Sequence, residues 1–169
     1  SEIVRQVATF NPKAIILLEI AESPLHDLTV DLRRKYPNLQ FVPIIADIRN
    51  IKMVEDVFAE YHPTVIFHAA AYKHVPLMED FPTQAILANV LGTKNMADMA
   101  IKYNAERFVM ISTDKAVNPT NVMGASKRIA EIYVQSLFLK QVQLDPHCTK
   151  FITTRFGNVL GSNGSVVPF

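Results

Sequence analysis

The residue types best suited to chemistry lie in two short runs in the second half of the chain. Residues 112–115 read Ser-Thr-Asp-Lys, which places two hydroxyls, a carboxylate and an amine side by side. Residues 123–127 read Met-Gly-Ala-Ser-Lys and add a second lysine on a predicted helix. Groups of these types transfer protons in enzymes. The apolar segment 107–111 predicts a buried strand, and ligands bind at the carboxyl ends of strands in open parallel sheets, so we expect a ligand site here.

Strand-like and helix-like segments alternate along the whole chain. Apolar runs predict five strands, at residues 14–18, 41–46, 64–67, 107–111 and 151–155. Apolar residues at helical spacing predict five helices, at 3–10, from a Ser23-Pro24 cap and first turn onward, at 54–61, at 80–103 and at 121–141. This order predicts an α/β fold, with a Rossmann-like doubly wound parallel sheet, helices on both faces and right-handed crossovers.

The bulk composition limits the class of protein. With 169 residues, 49% of them hydrophobic, the chain is expected to form one domain, 1–169. A formal charge of +1 without a basic block predicts no nucleic-acid partner. Cys148 is the only cysteine, which excludes an internal disulfide and favours a reducing, cytoplasmic location. No apolar run approaches the roughly 20 residues that span a bilayer, and a start without methionine indicates a piece of a longer protein.

Acidic residues follow the first two predicted strands. In dinucleotide-binding folds, an acid about 20 residues beyond a glycine-rich phosphate loop accepts hydrogen bonds from a ribose. Glu19 is a candidate for that role, and Asp47 with the adjacent Ile48 is a candidate for the adenine side of the cofactor. Each acid is also explained as an ordinary strand-end or turn residue in water.

Small and basic residues follow the third predicted strand. Three alanines, Ala69, Ala70 and Ala71, would let a flat cofactor approach the backbone, although small residues also occur wherever a helix packs tightly. In the next loop, Lys73 and His74 are candidates for contacts with a phosphate or another part of a substrate. The alternative is that they are solvated loop residues, which is the more common outcome for such positions. His68 and His74 have no carboxylate or cysteine cluster beside them, so we expect no metal site.

Three further positions are candidates for substrate contacts. The amide of Asn89, on a predicted helix, either bonds to a neighbouring backbone and holds the active-site turn or points to water. Met123 and Lys127 are four residues apart and share a helix face, although such a pair is usually a packed residue and a surface residue. Residues 157–165, which include Asn158, hold three of the five glycines but lack the ending of a P-loop, so a nucleotide triphosphatase is not expected.

Together these segments resemble the extended short-chain dehydrogenase/reductase superfamily, and more closely the nucleotide-sugar 4,6-dehydratases of bacterial capsular and other surface polysaccharide synthesis. The most specific segments are 68–76 (His-Ala-Ala-Ala-Tyr-Lys-His-Val-Pro), 112–121 (Ser-Thr-Asp-Lys-Ala-Val-Asn-Pro-Thr-Asn) and 155–162 (Arg-Phe-Gly-Asn-Val-Leu-Gly-Ser). The resemblance runs nearly end to end. It implies NAD as cofactor and a UDP-linked sugar as substrate.

Two departures from the family pattern affect these expectations. The catalytic Tyr-x-x-x-Lys of the superfamily reads Met123-x-x-x-Lys127 here, and a thioether cannot exchange the proton of a tyrosine hydroxyl. This replacement is a habit of the large membrane-anchored dehydratases, so the resemblance implies a soluble part of such a protein. The family's first strand, its glycine-rich loop and its substrate domain would lie outside this chain. We therefore expect a partial NAD-binding domain with unpaired edges at strands 14–18 and 64–67, poor NAD binding and no turnover alone.

The resemblance also implies a mechanism on a UDP-linked N-acetylhexosamine. Hydride moves from carbon 4 to NAD⁺, a base removes the acidified proton of carbon 5, and an acid protonates the departing hydroxyl of carbon 6, to which the hydride returns. By the same resemblance, Asp114 is the acid and Lys115 is the base. Thr113 would bond the oxygen at carbon 4, and Lys127 would hold the nicotinamide ribose.

Two other functions stay open at this stage. A nucleotide-sugar 4-epimerase would share the fold and the first oxidation but lack the acid that expels water. A non-catalytic dinucleotide-binding scaffold would account for the lost tyrosine. The sequence is also compatible with a homo-oligomer.

Overall fold

The computed structural model describes residues 2–157, in which helices and strands alternate. In chain order they are α1 (Glu2–Ala8), β1 (Ala14–Glu19), α2 (Glu22–Lys35), β2 (Gln40–Ile45), α3 (Ile51–Tyr61), β3 (Val65–His68), α4 (Val75–Asp80), α5 (Pro82–Ala85), a π-helical segment (Ile86–Leu91), α6 (Gly92–Lys102), β4 (Arg107–Thr113), a 3₁₀ turn (Asp114–Ala116), α7 (Val122–Leu144) and β5 (Lys150–Phe156). Among these residues no helix combines the length and apolar character that crossing a bilayer requires. The chain divides into two compact units, Ser1–Asp47 and Ile48–Phe169.

The first unit is a pair of parallel strands covered by helices. β1 and β2 run in register from Ala14 opposite Gln40 to Glu19 opposite Ile45. Their apolar side chains pack against α1 and α2 in one core, formed by Ala8, Leu17, Leu25, Leu32 and Phe41. Because the strands are parallel, Glu19 and the residues that follow β2 lie at the same edge of this sheet.

The second unit contains a three-stranded parallel sheet in the order β3-β4-β5. Its buried residues include Phe58, Ile66, Phe108, Met110 and Val134, contributed by α3, by the sheet and by α7. The Phe108 ring lies between those of His68 and Phe151, with centroids 5.7 and 5.3 Å away. The alternating order and the parallel pairing confirm the α/β fold predicted from the sequence, and all five predicted strands are present.

The sheet is interrupted where unpaired edges were expected, and one of its faces is more exposed than expected. The strands form two sheets, and within residues 2–157 one edge of β1 and one edge of β3 have no partner strand, as expected for the segments 14–18 and 64–67. Although we expected helices to cover both faces, two apolar side chains on one face of the β3-β4-β5 sheet remain exposed among the described residues. Phe67 is 45% exposed and Ile152 is 43% exposed. Apolar strand composition shows that a face is suited to burial, but not which segment buries it.

Two predicted helices begin elsewhere. The helix predicted over 80–103 begins at Pro82, because Phe81 adopts a non-helical conformation (φ −126°, ψ 59°) before that proline. It then runs through α5, the π-helical segment and α6 to Lys102, and Asp80 ends α4 instead. The helix predicted to start at a Ser23-Pro24 cap begins at Glu22 instead, with Ala21 as the extended N-cap. Pro24 is tolerated at the third helical position because the first backbone N–H groups of a helix have no intrahelical partner.

Candidate active site

The predicted site residues 112–115 lie at the carboxyl end of β4, where the strand continues into the 3₁₀ turn. The Thr113 hydroxyl donates to Asp114 Oδ1 over 2.9 Å and accepts from the Lys115 backbone N–H over 3.3 Å. Lys115 Nζ lies 3.4 Å from the same carboxylate oxygen. The strand end therefore brings the hydroxyl, the carboxylate and the amine into one connected group, with the Asp114 side chain 56% exposed.

The surroundings of the Asp114 carboxylate favour its ionised form. The Thr113 hydroxyl donates to it and the Lys115 ammonium lies beside it, and together they hold the pKa of Asp114 below its usual range. At neutral pH Asp114 is therefore a hydrogen-bond acceptor in the resting protein.

Lys127 is buried, although a lysine spaced in this way usually lies at the surface. It is 4% exposed. Its Nζ donates to the backbone oxygen of Ile111 on β4 over 2.8 Å, two residues before Thr113. Burial lowers the pKa of Lys127 from 10.5 to about 8, although the Glu131 carboxylate opposes this change. A buried amine with a strongly shifted pKa at a strand end is a candidate for function.

The first turn of α7 packs directly on the 3₁₀ turn. The Asn121 side chain caps the helix by accepting from the Gly124 N–H over 2.7 Å. A Cβ atom added at Gly124 would clash with the backbone oxygen of Lys115 and lie 3.2 Å from Pro119 Cβ. The helix that carries Lys127 is therefore held against the turn that carries Lys115, on the same side of β4.

Asn89 lies in the π-helical segment and is completely buried. Its Oδ1 accepts from the Tyr72 N–H over 2.8 Å, and its Nδ2 donates to the Tyr72 oxygen over 3.0 Å and to Ser126 Oγ over 2.9 Å. Both amide hydrogens are thus used inside the protein. These contacts support the alternative in which Asn89 holds the turn, because they tie the loop after β3 to α7.

His68, the last residue of β3, belongs to the same network. Thr93 Oγ1 donates to the Asn89 backbone oxygen over 2.7 Å, so its oxygen accepts from His68 Nε2–H, 2.8 Å away. This chain of bonds places the histidine hydrogen on Nε2. Burial and the nearby Lys127 charge lower the pKa of His68 to about 3, so the ring is neutral. Among residues 2–157, no three His, Cys, Asp or Glu side chains are arranged to hold a metal ion.

The positions predicted for cofactor and substrate fall into different environments. Glu19 Oε1 accepts from the backbone N–H groups of Ile20 and Ala21, over 2.8 and 3.1 Å, as an ordinary strand-end carboxylate does. Asp47, which follows β2, is half-buried. Ile48 is buried in the second unit, and its backbone oxygen accepts from the Asn95 side chain over 2.9 Å.

The remaining predicted positions lie after β3, in α7 and beyond β5. After β3, Ala69 and Ala70 are exposed, Ala71 is half-buried, and Lys73 and His74 are exposed. Met123 packs with Met78 and Ala85 in a small core cluster. Asn158 lies outside the described residues, so its predicted substrate contact stays a prediction.

Sequence reasoning missed one functional candidate, Glu131. This residue is 3% exposed, and two arginines hold its carboxylate. Its position four residues after Lys127 was a signal, because residues at that spacing share a helix face.

Comparison with known proteins gives consistent matches over this fold. A family model described as polysaccharide biosynthesis protein matches residues 1–169. The capsular polysaccharide biosynthesis protein CapD of Staphylococcus aureus is 52% identical over 169 residues, which is 99% of this chain and 27% of that protein. A UDP-glucose 4-epimerase of Rickettsia canadensis (strain McKiel) is 40% identical over 156 residues, which is 92% of this chain and 43% of that protein.

A solved structure matches nearly as much of the chain. The X-ray structure of Pen from Bacillus thuringiensis has a TM-score of 0.86 and 34% identity, and the match covers 98% of this chain and 50% of that one. The chain thus spans half or less of the length of each of these proteins.

Proposed function

Because this chain belongs to the polysaccharide biosynthesis protein family, we propose that it is the partial dinucleotide-binding domain of an NAD-dependent nucleotide-sugar 4,6-dehydratase. The substrate is a UDP-linked N-acetylhexosamine, and the product is a 4-keto-6-deoxy sugar nucleotide for capsule or another surface polysaccharide. The observation that carries the proposal is the connected hydroxyl, carboxylate and amine at the end of β4. Elimination of water requires both an acid and a base, and this group supplies both.

The bonded group also suggests how the acid and the base are prepared. In the resting protein Asp114 is a carboxylate, and the Lys115 ammonium lies 3.4 Å from it. Transfer of one proton across this contact leaves a neutral acid on Asp114 and a neutral amine on Lys115. The acid then protonates the departing hydroxyl of carbon 6, and the amine accepts the proton of carbon 5. Thr113, which bonds to both residues, would bond the oxygen at carbon 4. Oxidation there would release the hydroxyl proton to water, and one proton would be taken up at carbon 5 when the hydride returns to carbon 6, so that the protons balance.

The cofactor proposed for this domain is NAD, which when bound accepts the hydride of carbon 4 and returns it to carbon 6. The residues after β3 suit a flat ligand, because Ala69 and Ala70 are small and exposed. Lys127, buried beside the end of β4, would hold the nicotinamide ribose. Glu19 and Asp47 would serve the adenosine side.

A second candidate function is a nucleotide-sugar 4-epimerase. It is favoured by the 40% identity with the Rickettsia protein, which bears the name UDP-glucose 4-epimerase. The two reactions share the oxidation at carbon 4 but differ at carbon 6, because only the dehydratase needs the acid that expels the hydroxyl.

The test is mass analysis of the product that the intact protein forms from UDP-N-acetylglucosamine. We expect loss of one water and a keto group. Asp114→Asn and Lys115→Ala should each lower turnover by about 10²- to 10⁴-fold with NAD affinity nearly unchanged. Asp56→Asn, which changes an exposed carboxylate on α3, is the matched control. A product of unchanged mass and inverted carbon 4 would support the epimerase, and no product at all would support a non-catalytic scaffold.

A further inference from the structure

The buried side of α7 carries a charged residue that the proposed reaction does not use. Glu131 accepts from Arg155 Nε over 2.9 Å and Arg155 Nη2 over 2.7 Å, a two-point contact with one guanidinium. Arg128 Nη1 donates to the same carboxylate over 3.0 Å. Because an unpaired buried carboxylate is costly, these contacts define the position of Glu131 strongly.

Glu131 and Lys127 attach the same face of α7 to neighbouring strands. Lys127 bonds to the backbone oxygen of Ile111 on β4, and Glu131 bonds to Arg155 on β5. Arg155 pairs with Ser112, the residue after Ile111, in the register of these strands. Two successive turns of the helix are therefore attached to adjacent rungs of the sheet.

The Glu131–Arg155 contact also reaches the catalytic turn. Arg155 lies two residues before Gly157, and a Cβ atom added at Gly157 would lie 4.0 Å from Asp114 Oδ2. Holding Arg155 thus holds the end of β5 beside the Asp114 carboxylate.

Glu131 is the anionic group that acts on the Lys127 ammonium. It raises the pKa of Lys127 against the effect of burial. Burial alone would raise the pKa of Glu131, but hydrogen bonds from Arg155 and Arg128 lower it to about 2, so the carboxylate stays charged.

The other ionisable groups on elements packed against α7 differ from Glu131 in charge or position. On β3, His68 is neutral. Asp114 and Lys115 pair with each other on the 3₁₀ turn. On α4, Glu79 accepts from the first backbone N–H of α7. On α6, Lys94 and Asp98 pair with each other.

We propose that Glu131 is a positioning residue for Lys127: its carboxylate keeps the ammonium protonated, and its bond to Arg155 fixes this part of α7 against the strand ends. The inference rests on the role of Lys127 in the proposed function and deepens it. Its distinctive consequence is that removing Glu131 and removing Arg155 change the charge of Lys127 in opposite directions. The first change removes the nearby anion, and the second removes the cation that neutralises that anion.

The experiment titrates the Lys127 amine directly in the intact protein. A brief pulse of an amine-reactive reagent is applied over a range of pH values, and mass spectrometry measures the labelled fraction of the peptide that contains Lys127. Only the neutral amine reacts, so the labelling midpoint follows its pKa. Glu131→Gln should move the midpoint to lower pH by about one unit. Arg155→Gln should move it to higher pH.

Two variants serve as controls, and a further pair replaces Glu131→Gln if that variant does not fold. Glu131→Asp keeps the charge and should keep the midpoint close to that of the unchanged protein. Glu106→Gln removes an exposed carboxylate just before the start of β4, at the opposite end of the strand from the site, and should leave the midpoint unchanged. If Glu131→Gln does not fold, Arg128→Gln is compared with Arg128→Lys, which keeps the positive charge on a side chain that is 41% exposed. Arg128→Gln should then move the midpoint to higher pH while Arg128→Lys leaves it in place, and equal shifts in both would overturn the proposal.

The results separate positioning from general damage. Loosening of the fold exposes Lys127 and moves the midpoint upward in every variant, so a downward shift in Glu131→Gln alone identifies the carboxylate as the cause. An unmoved midpoint in Glu131→Gln, or upward shifts in both Glu131→Gln and Arg155→Gln, overturns the proposal. Because labelling needs no substrate, this result is independent of the product assay that tests the dehydratase function.

Discussion

At the scale of single residues, burial is what gives Lys127 its chemistry. The exposed Asp114 is controlled by the groups bonded to it, whereas Lys127 is controlled mainly by loss of water, with one hydrogen bond to Ile111. A pKa of about 8 leaves both the charged and the neutral amine accessible near neutral pH. That is the condition under which an amine can bind a ligand oxygen and also exchange a proton.

Burial of this charge predicts a pH-dependent stability. The pKa of Lys127 is about 8 in the folded chain against a usual 10.5, so between these values the unfolded chain binds more protons. The free energy of unfolding therefore rises with pH in this window, relative to Lys127→Met, which has no group to titrate. The relative gain is at most about 3 kcal/mol.

Urea unfolding of the chain and of Lys127→Met between about pH 7 and pH 10.5 measures this difference. Lys140→Met, a change to an exposed lysine on the same helix, is the matched control. Identical pH dependence in the chain and in Lys127→Met would show that the ammonium does not lose its hydration on folding.

The sequence predicted some site residues and missed others for a physical reason. Thr113, Asp114 and Lys115 are consecutive, so one strand end suffices to bring them together. Glu131 depends on Arg155, which lies 24 residues away and meets it where β5 pairs with β4. Contacts that join distant elements leave no local pattern in the chain.

At the scale of elements, the most informative difference is the helix around Asn89. Apolar spacing predicted one regular helix, but Ile86–Leu91 is π-helical between α5 and α6. π-Helical segments are rare and often mark functional sites. Here the segment carries Asn89 at the point where its amide reaches both Tyr72 and Ser126. Apolar periodicity does not predict such a change of winding, because the groups that bond to the Asn89 amide come from other elements.

Two glycines in helices offer a paired test of how tightly α7 packs on the 3₁₀ turn. Gly124→Ala places a methyl group against the backbone oxygen of Lys115, which cannot rotate away. Gly92→Ala places it 2.5 Å from Cδ1 and 2.7 Å from Cγ1 of Ile48, which are side-chain atoms that a change of rotamer can move. We expect Gly124→Ala to lower the free energy of unfolding by about 3 kcal/mol. For Gly92→Ala, the helix propensity of alanine offsets much of the crowding, and we expect about 1 kcal/mol or less.

Chemical denaturation of both variants measures this difference. The turnover of intact Gly124→Ala protein should also fall, because the methyl group displaces the turn that carries Asp114 and Lys115. Equal stability of the two variants would mean that α7 is not packed tightly on the turn.

At the scale of the whole molecule, strand alternation predicted the class and the parallel pairing, whereas only the family resemblance predicted the unpaired edges of β1 and β3. Each parallel pair follows from a short apolar run and a helical crossover, which are local features. The separation into β1-β2 and β3-β4-β5 depends on what lies beside β1 and β3, which no local pattern encodes. The half-exposed Phe67 and Ile152 illustrate the same point, because the apolar composition of a strand does not identify the segment that packs on it.

The whole-molecule prediction concerns cofactor affinity. In dinucleotide-binding folds the pyrophosphate sits on the backbone N–H groups of a glycine-rich loop and a helix N-terminus. Of the five glycines of this chain, Gly92 and Gly124 lie in helices, and the others, at 157, 161 and 164, do not have the Gly-x-x-Gly-x-x-Gly spacing. We therefore expect the 169-residue chain to bind NAD⁺ with a Kd weaker than about 1 mM. Isothermal calorimetry measures this, with the intact protein as the comparison. Micromolar binding by the 169 residues would show that Ala69, Ala70 and Lys127, with the rest of this chain, form a sufficient site for the dinucleotide.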